Sequence, residues 1–134
     1  MMAQAQAVGG CSPRFEIFSF GYKHGPPEAE SVIDVRFLPN PYWVPELRPR
    51  TGLDPAVAAH ALDTEAGRRL LALLEPLVTF LLEEQVRAGK GDWRLAVGCT
   101  GGRHRSVAVV EGLYRLLAAR FPELRIRHRD IDKV

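Results

Sequence analysis

One stretch limits what this chain can fold into: Trp93-Arg-Leu-Ala-Val-Gly-Cys-Thr-Gly-Gly-Arg-His-Arg-Ser106. The apolar run Leu95-Ala96-Val97 suits a buried strand. It stops at Gly98-Cys99-Thr100-Gly101-Gly102. Arg103-His104-Arg105-Ser106 then opens an amphipathic helix with Val107, Val110, Leu113 and Leu117 on one face. Strand, glycine-rich turn and helix is how α/β proteins build an anion site. The glycines let backbone N–H groups turn toward one point, and the helix N-terminus adds unpaired donors and partial positive charge. Arg103, His104 and Arg105 add donors that suit a phosphate. The loop from Cys99 to Ser106 is therefore expected to hold a phosphate or a similar anion.

The rest of the chain supplies a frame for that loop. Met1 to Ser12 is small, polar and glycine-containing, and reads as a disordered tail. The alternation in Arg14–Phe20 suits a strand, and Gly21–Pro27 follows as a loop with Lys23 and His24 at its tip. Ser31–Phe37 reads as a second strand interrupted by Asp34, a carboxylate that must be paired or placed at the sheet's end. Four prolines exclude helix or interior strand from Leu38 to Arg50. Asp54-Pro55 signals a short helix to about Ala61, and Asp63 or Thr64 caps a long one. A kink or break is expected at Pro76, and Gly89-Lys90-Gly91 ends the helix. The helix after the glycine-rich loop runs to about Arg120, and Leu124–His128 alternates as an edge strand. This order implies a single α/β domain over residues 13–134, with a small, mostly parallel sheet flanked by helices. Ligands of such sheets bind beyond the carboxyl ends of the strands. Lys23-His24, Asp34 to Asn40, and Cys99–Ser106 all follow strand ends, so they are candidates for one pocket.

Composition excludes several classes. At 134 residues there is one core, not two. No run approaches the ~20 apolar residues of a membrane span, and the N-terminus does not resemble a secretory signal. A reducing, cytoplasmic location is expected, since Cys11 in the tail and Cys99 in the loop do not suggest a disulfide. The net charge of +2 is modest, but from Arg94 onward nine Lys/Arg face four Asp/Glu. No Cys-x-x-Cys or His-x-His spacing supports a metal site, and no cofactor is implied.

Three readings of the loop remain open. It is a phosphate cradle, a catalytic loop, or a buried cysteine packing at a strand end. The catalytic reading rests on Cys99-x5-Arg105-Ser106, the pattern of cysteine-dependent phosphatases, with Asp34 or Asp54 as general acid. Gly98 stands where that pattern has histidine. Asp34 suits a sugar hydroxyl or ammonium group, or equally a salt bridge to Arg36 or Arg105. Tyr42 and Trp43 are either a ligand platform or a plug packing the proline-rich loop onto the core. Lys23, His24, Arg36, Arg48, Arg50, Arg103, Arg125, Arg127 and Arg129 are candidates for a stripe that holds RNA backbone phosphates.

Four blocks in order carry a resemblance: Phe20-Gly-Tyr-Lys-His-Gly25, Asp34-Val-Arg-Phe-Leu-Pro-Asn-Pro41, Leu47-Arg-Pro-Arg-Thr-Gly-Leu53 and Gly98-Cys-Thr-Gly-Gly-Arg-His-Arg-Ser106. From about Phe15 to Arg129 the chain resembles the C-terminal domain of the RNase adapter protein RapZ. The resemblance implies a non-enzymatic regulator that senses glucosamine-6-phosphate and binds small regulatory RNA, which the family presents to RNase E to control amino-sugar synthesis. By position it implies a ligand pocket at Asp34, Cys99, Thr100, Gly101, Gly102, His104 and Arg105. It implies RNA contacts at Lys23, His24, Arg48, Arg103 and Arg105. Arg103 stands where the family has lysine or glutamine, and Tyr42 where it has histidine. Full-length members also carry an N-terminal P-loop domain. This sequence shows none, so a free-standing domain is expected, with homo-oligomerisation left open.

Overall fold

Two short stretches, each rich in large apolar residues, form the centre of the sheet. They are β1 (Phe15–Gly21), buried except for Glu16, and β3 (Trp93–Cys99), buried except for Arg94. They lie side by side and parallel, from Phe15 opposite Trp93 to Gly21 opposite Cys99. β2 (Ser31–Asp34) pairs parallel to the outside of β3, and β4 (Arg125–His128) parallel to the outside of β1. The order is β2-β3-β1-β4, so the sheet is parallel throughout. Near-continuous burial of the central strands is what a parallel sheet requires. This computed structural model describes residues 13–134, and the tail expected over Met1–Ser12 lies outside them.

The helices gather on one face. α1 (Pro55–Leu62) is capped by Asp54, whose carboxylate accepts the Ala56 N–H at 2.8 Å. α2 (Glu65–Ala88) is capped by Thr64, which accepts the Gly67 N–H at 2.9 Å, and stops at Gly89 with φ 64°. α3 (Arg105–Leu117) follows the glycine-rich loop, and β4 lies one strand beyond β1. Leu74, Val78 and Leu82 of α2 and Val109, Val110, Leu113 and Leu117 of α3 pack on Phe15, Ile17, Leu95 and Val97. Leu113 is fully buried there, and its truncation to alanine costs about 2–5 kcal/mol. The opposite face has a small cluster of Phe18, Phe20 and Ala96, flanked by Tyr22 and Ala29. Arginines roof it: Arg127 stands 4.2 Å from the Phe18 ring centroid, and Arg129 5.5 Å from that of Phe20.

Four expectations need correction. Despite the prolines between Leu38 and Arg50, Pro41–Trp43 forms a single 3-10 turn, with Pro41 at its first position, where its missing N–H costs nothing. Of the kink or break expected at Pro76, the break does not occur: α2 is continuous from Glu65 to Ala88. Proline removes the hydrogen bond to the Ala72 carbonyl, but both residues are on the exposed side, where water can satisfy that carbonyl. β2 ends at Asp34 rather than Phe37. The Asp34 carboxylate accepts the Arg36 N–H at 2.9 Å, and the Leu38 N–H donates to the Val35 carbonyl, so the chain turns off the edge. α3 ends at Leu117, and a turn continues to Arg120.

The register sets up the site. Gly21 lies opposite Cys99, and Asp34 opposite Gly98. Three strands thus finish level, and their loops leave from one end of the sheet.

Candidate functional site

The loop between β3 and α3 is held from three sides. The Lys23 N–H, in the turn Tyr22–His24 after β1, donates to the Thr100 carbonyl at 3.1 Å. The Gly52 N–H donates to the Arg103 carbonyl at 2.8 Å, and His104 Nε2 lies 3.0 Å from the Arg48 carbonyl. Arg103 Nε donates to the Ile131 carbonyl at 2.9 Å. Close backbone approach makes two glycines necessary. Gly102 has φ 77°, and a Cβ there would sit 2.5 Å from the Gly21 nitrogen. A Cβ on Gly52 would sit 2.4 Å from the His104 carbonyl oxygen. Among the described residues, the N–H groups of Gly101, Gly102, Arg103 and His104 donate no hydrogen bond.

Arg105 is the first residue of α3 and is only 5% exposed. Its guanidinium donates to the Arg36 and Leu38 carbonyls at 2.7 and 3.2 Å, and reaches the Thr100 hydroxyl at 3.5 Å. Its Nε is buried without a partner. None of the ion pairs among the described residues includes it. Asp34 lies near enough to feel its charge but makes no direct pair with it. A buried cation without a direct carboxylate partner is costly, and an anion supplied from outside lowers that cost.

A cavity of about 640 Å³ opens over this loop, within the ordinary size range of small-molecule sites. Cys99, Thr100, Gly101, Arg103, His104 and Arg105 line it, joined by Lys23 and Arg48. Lys23, Arg48 and Arg103 also take part in none of the ion pairs. Burial pulls the pKa of His104 below that of free imidazole, and the charges of Arg103 and Arg105 push the same way. His104 is thus neutral near pH 7, with Nε2 placed to donate to the Arg48 carbonyl. Cys99 is 2% exposed. Its Sγ accepts the Ser106 N–H at 3.4 Å and lies 3.1 Å from the Ser106 hydroxyl.

The other expected residues are placed differently. Gly102 braces the loop against β1 but does not line the cavity, nor does Asp34. Asp34 grips Arg36 through a forked pair with contacts of 2.7–3.1 Å. The hydrogen bond from Arg36 holds the Asp34 carboxyl below the usual carboxylate range. His24 stands beside Lys23 outside the lining, with Nε2 buried and unpartnered. Much of the basic stripe is already neutralised, since Arg36, Arg50, Arg127 and Arg129 each pair with a carboxylate, and Arg125, in no ion pair among the described residues, lies at the other end of the sheet. Trp43 is not a core plug: it is 73% exposed at the cavity's rim, next to Tyr42.

Of the segment from Asp34 to Asn40 expected at the pocket, Asn40 lines the cavity and caps the turn Pro41–Trp43 by accepting the Tyr42 N–H at 3.1 Å, and a further contributor, Asp130, was not singled out from the sequence. The Asn40-Pro41 pair is a recognisable turn signal. Asp130 is fully buried and accepts the Gly21 N–H at 2.7 Å, together with bonds from Arg129 and Lys133. Burial works to raise its pKa, but those hydrogen bonds outweigh it and hold the carboxyl at about 2. No spacing in the sequence marks Asp130.

A family model described as the RapZ C-terminal domain matches residues 13–132. Similar curated proteins include nucleotide-binding proteins of Cutibacterium acnes (47% identical over 89% of this chain), Caldanaerobacter subterraneus (46% over 88%) and Mycobacterium avium (44% over 93%). The matches cover 41%, 42% and 44% of those proteins, so the chain spans about two fifths of the length of these relatives. A match across nearly all the described residues, on an α/β domain whose loops converge at one end of a parallel sheet, places this chain in the family of RapZ C-terminal domains.

Proposed function

We propose that this domain is a non-enzymatic regulator that binds a phosphorylated amino sugar, glucosamine-6-phosphate by family resemblance, with the phosphate on the loop Thr100–Arg105. The observation that carries the reading is Arg105, a guanidinium 5% exposed and without a carboxylate partner, lining a cavity with Lys23, Arg48 and Arg103. The free N–H groups of Gly101–His104 supply neutral donors for the same oxygens. Asp34 stands on β2 outside the lining, so its part in receiving the sugar amine requires release from Arg36.

RNA is the second ligand of this reading, presented to a ribonuclease as the family resemblance implies. Lys23, Arg48, Arg103 and Arg105 are the cations at the cavity that can meet its phosphates, with His24 beside Lys23. RNA and sugar phosphate then compete for the same arginines. No helix of the described residues is long and apolar enough to cross a membrane.

The phosphatase alternative has one supporting contact, Ser106 against the Cys99 sulfur. It lacks a ready general acid, because Asp34 is clamped by Arg36 and Asp54 caps α1. Absence of aryl phosphate turnover removes that alternative; turnover lost in Cys99→Ser would establish it.

A thermal-shift titration with glucosamine-6-phosphate, glucose-6-phosphate and inorganic phosphate tests the sensor reading. A ligand at a hundred times its Kd adds about 2.7 kcal/mol to apparent stability. The expected result is the largest shift with the amino sugar, reduced in Arg103→Gln and lost in Arg105→Ala. Equal shifts with all three ligands would overturn amino-sugar selectivity, and no shift would overturn the anion site.

A further inference from the structure

Trp43 sits on a turn fixed by backbone hydrogen bonds yet packs on no core. The turn Pro41–Trp43 is pinned by buried Pro41 and capped by Asn40, whose carbonyl accepts the Trp43 N–H at 3.2 Å. The Tyr42 ring meets the Trp43 indole edge-on, with centroids 5.2 Å apart and planes at 88°. Arg48 braces Tyr42 by donating to its carbonyl at 2.7 Å, with its guanidinium 4.6 Å from the ring centroid. Exposing a large aromatic ring forgoes burial, and ordering it in advance lowers the entropy lost when something stacks on it. Phe37, Tyr42 and Trp43 are 61%, 48% and 73% exposed, and Arg36, Arg48 and Arg50 are interleaved with them in one segment. Alternating aromatics and arginines suit a run of unpaired bases, which stack on the rings while the cations meet the backbone.

We infer that Trp43 is a stacking platform for an unpaired RNA base whose phosphate lies on the loop Thr100–Arg105. This inference rests on the anion-site reading above.

The chain provides its own probe. Trp43 is exposed, whereas Trp93 is 5% exposed and contributes a steady background. Tryptophan emission is followed while a short 5′-phosphorylated oligoadenylate, ribose 5-phosphate or glucosamine-6-phosphate is added to the full chain, with occupancy read separately by thermal shift. The oligonucleotide is expected to quench the emission at saturation, and the two sugar phosphates are not. Trp43→Phe should abolish the quenching while keeping affinity within about threefold. Trp43→Ala should weaken oligonucleotide binding roughly tenfold or more and leave inorganic phosphate binding unchanged. Unquenched emission from a saturated complex, or unchanged affinity in Trp43→Ala, overturns the platform while the anion site stands. Equal quenching by glucosamine-6-phosphate assigns the ring to a pyranose and also overturns it. Loss of all binding, inorganic phosphate included, overturns both readings.

Discussion

The two ends of the sheet both carry clefts lined by arginine, and they differ in how those arginines are neutralised. At the amino ends of the strands, a cleft of about 870 Å³ is lined by Arg14, Glu16, Asp92, Arg94, Glu123 and Arg125 among others. There three arginines face three carboxylates in the lining, Arg94 pairs with Glu30 beside it, and Asp92 accepts the backbone N–H of Arg14. At the carboxyl ends, the smaller cavity of about 640 Å³ has four cations in its lining and no Asp or Glu side chain, with Val134, the last residue of the sequence, also in the lining. Size therefore does not mark the site. One cleft balances its arginines with acids in the same lining, and the other has an excess of side-chain cations that an anion from outside can meet.

The most damaging change expected at the cavity end is Gly102→Ala. Its Cβ would meet the Gly21 backbone at 2.5 Å with φ 77°. Strain and displacement of the loop should cost about 3 kcal/mol in thermal unfolding and abolish phosphate binding. An unchanged melting temperature would mean that the loop is not braced against β1. Asp130→Asn should cost about 2–3 kcal/mol, because a buried carboxylate with several charged and backbone donors is lost. The pH dependence sharpens this. The folded Asp130 pKa of about 2 lies below its unfolded value. Its contribution is therefore fully present above about pH 4 and is lost as pH falls toward 2. Acid titration of wild type against Asp130→Asn should show that difference vanish over this window.

His104 gives a smaller effect at milder pH. Its folded pKa is lowered by burial, so protonation favours the unfolded chain. Stability should fall as pH drops below about 6.5, and His104→Gln should flatten that part of the profile. At the other end of the sheet, Arg94→Gln breaks an exposed pair and should change stability by less than about 1 kcal/mol, with ligand binding unaltered. A binding defect in Arg94→Gln would dissolve the distinction between the two clefts.

The frame of the molecule was legible because its signals are local. Leu95–Val97 is continuous apolar sequence and becomes a central strand, and Asp54-Pro55 and Thr64 start their helices as caps. Where a signal depends on which side of an element faces solvent, sequence reading fails. Pro76 reads as a breaker but lies on the exposed side of α2, and the helix continues. The site divides the same way. The glycine-rich turn and Arg105 stand out in the sequence, but the absence of a carboxylate partner for Arg105 is a property of the folded surface. Asp34 shows the converse: its paired reading holds, with Arg36 as the partner two residues away. Asp130 stayed hidden because its role depends on contacts to Gly21, more than a hundred residues earlier in the chain.

The difference between the clefts is tested most directly by calorimetric titration of inorganic phosphate into wild type, Arg105→Gln and Arg94→Gln at low ionic strength. Saturable binding is expected in wild type and in Arg94→Gln, and none in a folded Arg105→Gln. Binding that survives in Arg105→Gln, or disappears in Arg94→Gln, would contradict the assignment of the anion to the carboxyl end of the sheet.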